Sequence, residues 1–330
     1  MTKDSHFFLS IVVPVFNEEA VIEMFYQRLM NVLFSQQYRY EIIFVDDGSR
    51  DKTLAIIEMI RKMDTHVHVL SLSRNFGKEI AISAGLDYAE GDAVILIDAD
   101  LQDPPEIIVK LIEEWKQGFD IVYAQRSSRK GESFIKKMTA YLFYRVLNFA
   151  GSFSIPKDTG DFRLISQRAV IALRQLRERH RFMKGLFAWV GYPQKAIYYH
   201  RDARVAGKSK WSYWRLWNLA LEGITSFTIA PLKAATYFGL LTAFIAFVYG
   251  LIIIYKTLVF GNTVPGYSSL MVAILFLGGV QLLTIGIIGE YLGRMFNEVK
   301  NRPLYLLKSN TFEKIEILEE EELQLEHWED

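Results

Sequence analysis

Val94 to Glu106 reads VILIDADLQDPPE, and the change of character inside that stretch decides the fold. Val94 to Ile97 is an apolar run without a polar break, the pattern of a buried strand. It stops at Asp98, Asp100 and Asp103, three carboxylates gathered at one strand end. Pro104 and Pro105 then suit the first turn of a helix, where a missing N–H costs little. In an open α/β sheet, ligands bind just beyond the carboxyl ends of the strands, so these aspartates stand where a site is expected. Asp98 and Asp100, one alanine apart, offer hard oxygens suited to Mg²⁺ or Mn²⁺, with a bound diphosphate to complete the shell. Taken alone, the same residues also describe a polar turn that caps the next helix.

Outward from this stretch, strand and helix alternate. Leu9 to Val15 is a β-branched run leading through Pro14, Phe16, Asn17 and Glu18 into helical spacing from Glu19 to Leu33. Glu41 to Val45 is a second strand, ending in Asp46-Asp47-Gly48-Ser49 before a helix that Ser49 or Asp51 caps and that runs through Met63. Val67 to Leu72 is a third strand, followed by Arg74-Asn75-Phe76-Gly77-Lys78-Glu79 and a helix to about Ala89. The Val94 strand, a helix from Pro104 to Lys116 and a strand from Ile121 to Ala124 complete the series. This spacing predicts a mostly parallel sheet covered on both faces. Its rim collects Phe16, Asp47, Asp98, Asp100 and Arg126, the composition of a nucleotide-diphosphate pocket. A dinucleotide fold would place G-x-G-x-x-G after the first strand, where this chain has PVFNEE.

With 330 residues, 51% hydrophobic and 14% aromatic, the chain can form a core and membrane segments besides. Equal counts of 38 basic and 38 acidic residues argue against broad nucleic-acid binding. The absence of cysteine excludes disulfides and thiolate metal sites. Phe7 to Phe16 runs straight into Asn17, Glu18 and Glu19 and reads as the first strand, not as a leader. After Ala124 come Arg126, Arg129, Lys130, Lys136 and Lys137, then an aromatic amphipathic stretch from Phe134 to Phe149 that suits a membrane surface or a core helix with a solvated face. RFMKGLFAWVG, residues 181–191, fits an acceptor-groove floor or ordinary core packing. RDARVAGKSKW, residues 201–211, supplies Arg204, Lys208 and Lys210, a phosphate-closing loop or a solvated charge run. Trp211 to Phe227 has the spacing of an interfacial helix. About 22 uncharged residues from Ala234 to Tyr255, and a second run from Leu270 to Gly289, are long enough to span a bilayer. The basic loop with Lys233 precedes the first and Arg294, Lys300, Arg302 and Lys308 follow the second, so the positive-inside bias puts both termini and the large domain in the cytoplasm.

Taken together, PVFNE, VDDGS, NFGKE, DADLQDPPE, TGDFRL, RFMKGLFAWVG and the paired carboxyl-terminal helices resemble family-two glycosyltransferases over nearly the whole chain. Within that family the resemblance is to the group that loads sugars onto polyprenyl phosphates, the bactoprenol glucosyltransferases, related to dolichyl-phosphate mannose synthases. It implies a Rossmann-like nucleotide-diphospho-sugar domain of the GT-A type over residues 1–210. A juxtamembrane amphipathic helix over 211–231, two transmembrane helices within 232–300 (about 234–255 and 269–290) and an acidic tail over 301–330 complete the expected organisation. The location implied is the cell inner membrane. By the same resemblance Pro14, Phe16, Glu18 and Asp47 contact the donor, Phe16 against uracil and Asp47 at the base imide. Asp98, Asp100 and Gln102 hold the metal and the donor diphosphate. Asp161 is the acceptor-side acid, and Arg126, Arg204, Lys208 and Lys210 bind phosphate.

The implied reaction is direct, inverting transfer of a hexose, foremost glucose, from a UDP-sugar to undecaprenyl phosphate. Its product is a lipid-linked monophosphate sugar for cell-surface polysaccharide modification. The acceptor has a second pKa of about 6 and needs little base catalysis. Asp161 then orients the acceptor, removes a residual proton or joins the metal shell. Alternatives are transfer of amino-arabinose, mannose or GlcNAc to the same lipid, or a non-catalytic lipid carrier or flippase partner. A processive synthase is disfavoured by the missing Gln-x-x-Arg-Trp motif. Gly278, Gly279, Gly286, Gly289 and Gly293 permit close helix contact within a subunit or between subunits, and a homo-oligomer is expected through these helices.

Overall fold

The computed structural model describes residues 7–36, 38–126, 159–199, 228–260 and 266–312. The expected surface helix at 134–149, the interfacial helix at 211–227, the basic loop and the acidic tail beyond 312 lie outside the described residues.

The apolar runs become strands because alternate side chains fill opposite faces of one sheet. These strands are β1 (Phe8–Val15), β2 (Arg39–Asp46), β3 (Val67–Leu72), β4 (Ala93–Leu96), β5 (Ile121–Arg126), β6 (Thr159–Ser166), β7 (Gln194–Tyr199) and β8 (Leu307–Asn310). The helices are α1 (Ile22–Gln36), α2 (Thr53–Met63), α3 (Lys78–Tyr88), α4 (Ile107–Lys116), α5 (Gln167–Gln175), α6 (Met183–Trp189), α7 (Ala230–Phe260) and α8 (Tyr267–Val299). In β1, Ile11 and Val13 join the layer with Phe25, Leu29 and Leu33 of α1, Ile57 of α2 and Leu111 of α4. Val12 faces the other way, among Ile82 and Leu86 of α3, Val170 of α5 and Phe187 of α6. These side chains are 0–2% exposed, and burying each aliphatic one contributes roughly 1.5–3 kcal/mol.

The sheet order is β7-β5-β6-β4-β1-β2-β3-β8. β4, β1, β2 and β3 run parallel, with Val94 opposite Ser10 and Val12 opposite Ile43. β6 is antiparallel to both its neighbours, β4 and β5, and β7 lies parallel to β5. The two reversals around β6 cancel, so β5 points the same way as β4. The carboxyl ends of β1 to β5 therefore share one rim with the amino end of β6. TGDFRL, one of the motifs that carried the resemblance, is that inserted strand, and it makes this the mixed sheet of a GT-A fold.

Three local expectations change. Asp103 does not join the carboxylates of the rim: it is 2% exposed and accepts from the Tyr199 hydroxyl, which pins β7 to the segment after β4. The helix expected from Pro104 begins at Ile107, with the Pro104 and Pro105 carbonyls accepting from Ile107 and Ile108 N–H. The tail expected from residue 301 starts instead with β8, antiparallel on β3. Thr311 exchanges hydrogen bonds with the Val69 backbone, and Phe312 stacks on His68 at 4.4 Å.

α7 and α8 contain apolar spans of 27 and 30 residues, Ala230–Lys256 and Leu270–Val299, each long enough to cross a membrane. Their large apolar side chains, Phe244, Ile253, Leu275 and Leu282 among them, are 47–72% exposed. A Cβ placed on Gly278, Gly279, Gly286, Gly289 or Gly293 meets nothing within 4 Å, so these glycines do not serve contact between the two helices of one chain.

Candidate active site

The site is assembled from loops at that rim. β1 and β2 are neighbours, and the loops that follow them are laced together. Asn17 N–H donates to Ser49 Oγ at 3.0 Å, Arg50 N–H to Asn17 Oδ1 at 2.8 Å, and Glu18 N–H to Thr53 Oγ1 at 2.8 Å. The end of β1 and its loop, with Pro14, Phe16 and Glu18, thereby lie beside the loop that begins at Asp47. The Asp47 carboxylate has a different engagement from the one expected. It is 3% exposed and accepts from Phe76 N–H at 2.6 Å and Gly77 N–H at 2.9 Å. Burial pushes its carboxyl up, against the pull of those two N–H groups. Asp47 thus anchors the β3–α3 loop.

Two glycines let that loop sit where it does. Gly48 has φ +71°, and a Cβ there would fall 2.7 Å from the Arg74 carbonyl carbon, so only glycine admits the loop this closely. Gly77, at φ +99°, turns the chain into α3 and delivers Lys78 to the rim. Lys78 Nζ lies 2.7 Å from the Asp98 carboxylate at the end of β4 and 2.5 Å from Asp161 Oδ2 near the start of β6. One ammonium thus bridges acids 63 positions apart, which only the β4–β6 pairing brings together. The side chains of Lys78, Asp98 and Asp161 remain 41%, 26% and 16% exposed.

The electrostatics of the three differ. Burial raises Asp98 above the ordinary carboxylate range, and the Lys78 charge only partly offsets it. Burial acts on Asp161 as well, but the Lys78 and Lys184 charges outweigh it and hold Asp161 below that range. Lys78 is raised by Asp161 and Asp98 in spite of its own desolvation. Beneath them, Arg163 is 3% exposed and donates to the Gly160 and Asp161 carbonyls at 2.8 and 3.3 Å, its guanidinium 3.8 Å from the centre of the Phe187 ring. Desolvation brings it down to about 10. Glu79 accepts from Met183 N–H at 3.0 Å, and burial, followed by the Asp161 charge, pushes it up to about 7.

Asp100 Oδ1 accepts from Gln102 N–H at 3.1 Å, forming the turn expected after β4, with Leu101 at φ 58°. Arg126 closes β5 by its backbone and so reaches the same rim, whereas Arg204, Lys208 and Lys210 lie outside the described residues. RFMKGLFAWVG is mainly core: Met183, Leu186, Phe187 and Ala188 are buried, and the stretch supports the site from below through Glu79 and Arg163. Lys78, Glu79 and Arg163 were not singled out from the sequence. NFGKE and TGDFRL contain them, and the signal available was the glycine of each motif, followed within three residues by these charges.

Residues 10–174 match glycosyl transferase family 2, and residues 230–295 match the GtrB C-terminal hairpin. The chain belongs to glycosyltransferase family 2. An uncharacterized glycosyltransferase of Synechocystis sp. is 54% identical over 91% of this chain and 94% of its own. The bactoprenol glucosyl transferase of Shigella phage SfII is 52% identical over 92% of this chain and 98% of its own. A glucosyl-3-phosphoglycerate synthase of Mycobacterium tuberculosis, solved with Mn²⁺, UDP-glucose and phosphoglyceric acid, is 20% identical, covering 67% of this chain and 79% of its own with a TM-score of 0.44. As a family-2 member the chain is a glycosyltransferase, with two helices long and apolar enough to cross a membrane.

Proposed function

We propose that this glycosyltransferase moves glucose from UDP-glucose to a polyprenyl phosphate at the cytoplasmic face of the cell inner membrane. The observation that carries the reading is the meeting of Asp98 and Asp161 at one rim, in a chain that also holds two membrane-length helices. The bactoprenol glucosyl transferases that match nearly the whole chain support this donor sugar and acceptor. In the proposed arrangement residues 1–210 are the catalytic domain, 211–231 lie along the membrane and 232–300 cross it twice. Both termini then face the cytoplasm, and the unpaired glycine faces of α8 join copies of the chain.

The acids fit a divalent cation. Asp98 and Asp100 are hard oxygen donors, and the Asp98 side chain remains 26% exposed at the rim. Among the described residues no group of three acids or histidines is placed to hold a metal by itself, so a diphosphate would supply the remaining oxygens. Asp98 and Asp100, with Gln102, would hold Mg²⁺ or Mn²⁺, which when bound stabilises negative charge on the departing diphosphate. Pro14, Phe16 and Glu18 line the nucleoside end. An acceptor phosphate oxygen attacks the anomeric carbon, the bond to the β-phosphate oxygen breaks, and UDP leaves with inversion. Asp161 orients the incoming acceptor, Arg163 supports it from beneath, and Arg126, Arg204, Lys208 and Lys210 neutralise the phosphates.

The test is transfer from labelled UDP-glucose to undecaprenyl phosphate by the full chain in detergent, in Mg²⁺, Mn²⁺ or EDTA. Asp98→Asn and Asp100→Asn are expected to lose at least about 10²-fold in rate while still inserting and folding. Undiminished activity in chelator would remove the metal from the reaction, and a preference for another nucleotide sugar would replace the donor.

A further inference from the structure

We propose that Lys78 is a tethered cation that shares Asp98 with the divalent metal, so that the metal enters well only together with the nucleotide diphosphate. This rests on the reading of Asp98 as a metal ligand and adds a positioning residue to it. Lys78 Nζ makes its two contacts with the acid after β4 and the acid at the start of β6, 2.7 and 2.5 Å away, and so occupies the interval between them. Nothing in the local sequence requires this, since a lysine in the first turn of a helix ordinarily extends into water, away from the positive end of the dipole. The position is built. The Asp47 carboxylate holds Phe76 and Gly77 N–H, Gly48 admits the loop, and Gly77 turns the chain so that Lys78 points along the rim.

A metal on Asp98 and an ammonium on the same carboxylate would set two cations against each other, and a partly buried site screens them weakly. Asp161 gives the lysine somewhere to go. Its Oδ2 already accepts from Lys78, and its Oδ1 is buried without a hydrogen-bond partner. When the metal takes Asp98, Lys78 passes to Asp161 alone and keeps that acid in place for the acceptor. Without nucleotide, the exchange costs a strong contact for little return. The negative diphosphate makes it favourable by bringing charge that both cations share. Lys78 therefore couples metal loading to donor loading.

The experiment measures Mn²⁺ binding by electron paramagnetic resonance to the full chain in detergent, with and without UDP. The proteins compared are the parent, Lys78→Met, Lys78→Gln, Lys78→Arg and Asp98→Asn. Without nucleotide, Lys78→Met and Lys78→Gln are expected to bind Mn²⁺ about tenfold more tightly than the parent, a change that loss of one nearby charge readily provides. Lys78→Arg keeps the charge and stays near the parent. UDP should tighten Mn²⁺ binding much less in the neutral variants than in the parent. Two neutral side chains are compared so that a disturbance of the loop by one of them is recognised, and melting curves identify a variant that has unfolded. Neutral variants that bind Mn²⁺ no better than the parent, while Asp98→Asn binds worse, overturn the sharing and leave the metal reading standing. Parent-like Mn²⁺ binding by Asp98→Asn overturns both.

Discussion

Asp161 has a carboxylate held below the ordinary range by the Lys78 and Lys184 charges, despite its burial. A group whose folded pKa is depressed stays ionised above that pKa, so Asp161 is an anion throughout the range in which transfer is measured. Such an acid is a poor proton acceptor, and the acceptor phosphate, with a pKa of about 6, has little need of one. Of the three roles open to Asp161, proton removal fits this charge state least. Asp161→Asn is therefore expected to lower the rate by a factor that stays constant from pH 5 to 9, while parent and variant both follow ionisation of the acceptor. A pH-rate profile with a short-chain polyprenyl phosphate checks this. A deficit that shrinks as pH rises through about 6 would return Asp161 to proton removal. Asp98 and Asp100 were legible as candidates because they interrupt an apolar run. Lys78 was not, because a lysine at a helix start has no fixed partner until another strand supplies one.

At the scale of elements, β8 ties the segment after α8 to the catalytic sheet. The Leu306 carbonyl accepts from Ser73 N–H at 2.8 Å, next to the loop that presents Lys78. Thr311 Oγ1 accepts from Val69 N–H at 2.8 Å, and Val69 is 1% exposed. Thr311→Val keeps the shape and removes the acceptor, leaving a buried donor unpaired at a cost of roughly 1–3 kcal/mol. A lower thermal unfolding midpoint in detergent is the expected outcome, and an unchanged midpoint would mean that β8 is not held on β3 in solution. The short β8, and the strands β6 and β7 on either side of α5 and α6, escaped the sequence reading. β8 has only four residues, and its apolar pattern is weak. β6 begins with polar Thr159, Gly160 and Asp161, which look like a turn until β4 and β5 enclose them.

At the scale of the molecule, α8 and the catalytic domain meet through a polar contact. Glu298 accepts from Arg179 N–H at 2.7 Å, Arg179 Nη2 donates to Asn301 Oδ1 at 2.9 Å, and Asn297 pairs with His180. Residues 179–180 lead into α6, which underlies Glu79 and Arg163, so the foot of a membrane-length helix is joined to the floor of the site. Under the proposed topology, residues 261–265 lie on the side of the membrane opposite the catalytic domain. The chain has no cysteine, so single replacements report on this directly. In intact cells a membrane-impermeant maleimide should label Asn262→Cys but not Met63→Cys, whose side chain is 78% exposed on α2. After permeabilisation both should react. Labelling of Met63→Cys alone in intact cells would invert the orientation.

The sequence alone determined the elements whose cause is local. Apolar runs of strand length, helical spacing, acids at the end of β4 and two uncharged spans are properties of neighbouring residues, and they foretold the parallel half of the sheet, the rim and the two membrane-length helices. Only the tertiary structure decided which acid met which partner. Asp103 turned inward to Tyr199, Asp47 took the amides of a loop 29 residues away, and Asp161 met Asp98 across Lys78. The physical reason is that a carboxylate is satisfied by whichever donor the fold brings within about 3 Å, and strand order brings donors from distant parts of the chain. Pairing β6 between β4 and β5 depends on hydrogen bonds among segments about 40 to 70 residues apart, for which no local pattern carries the instruction.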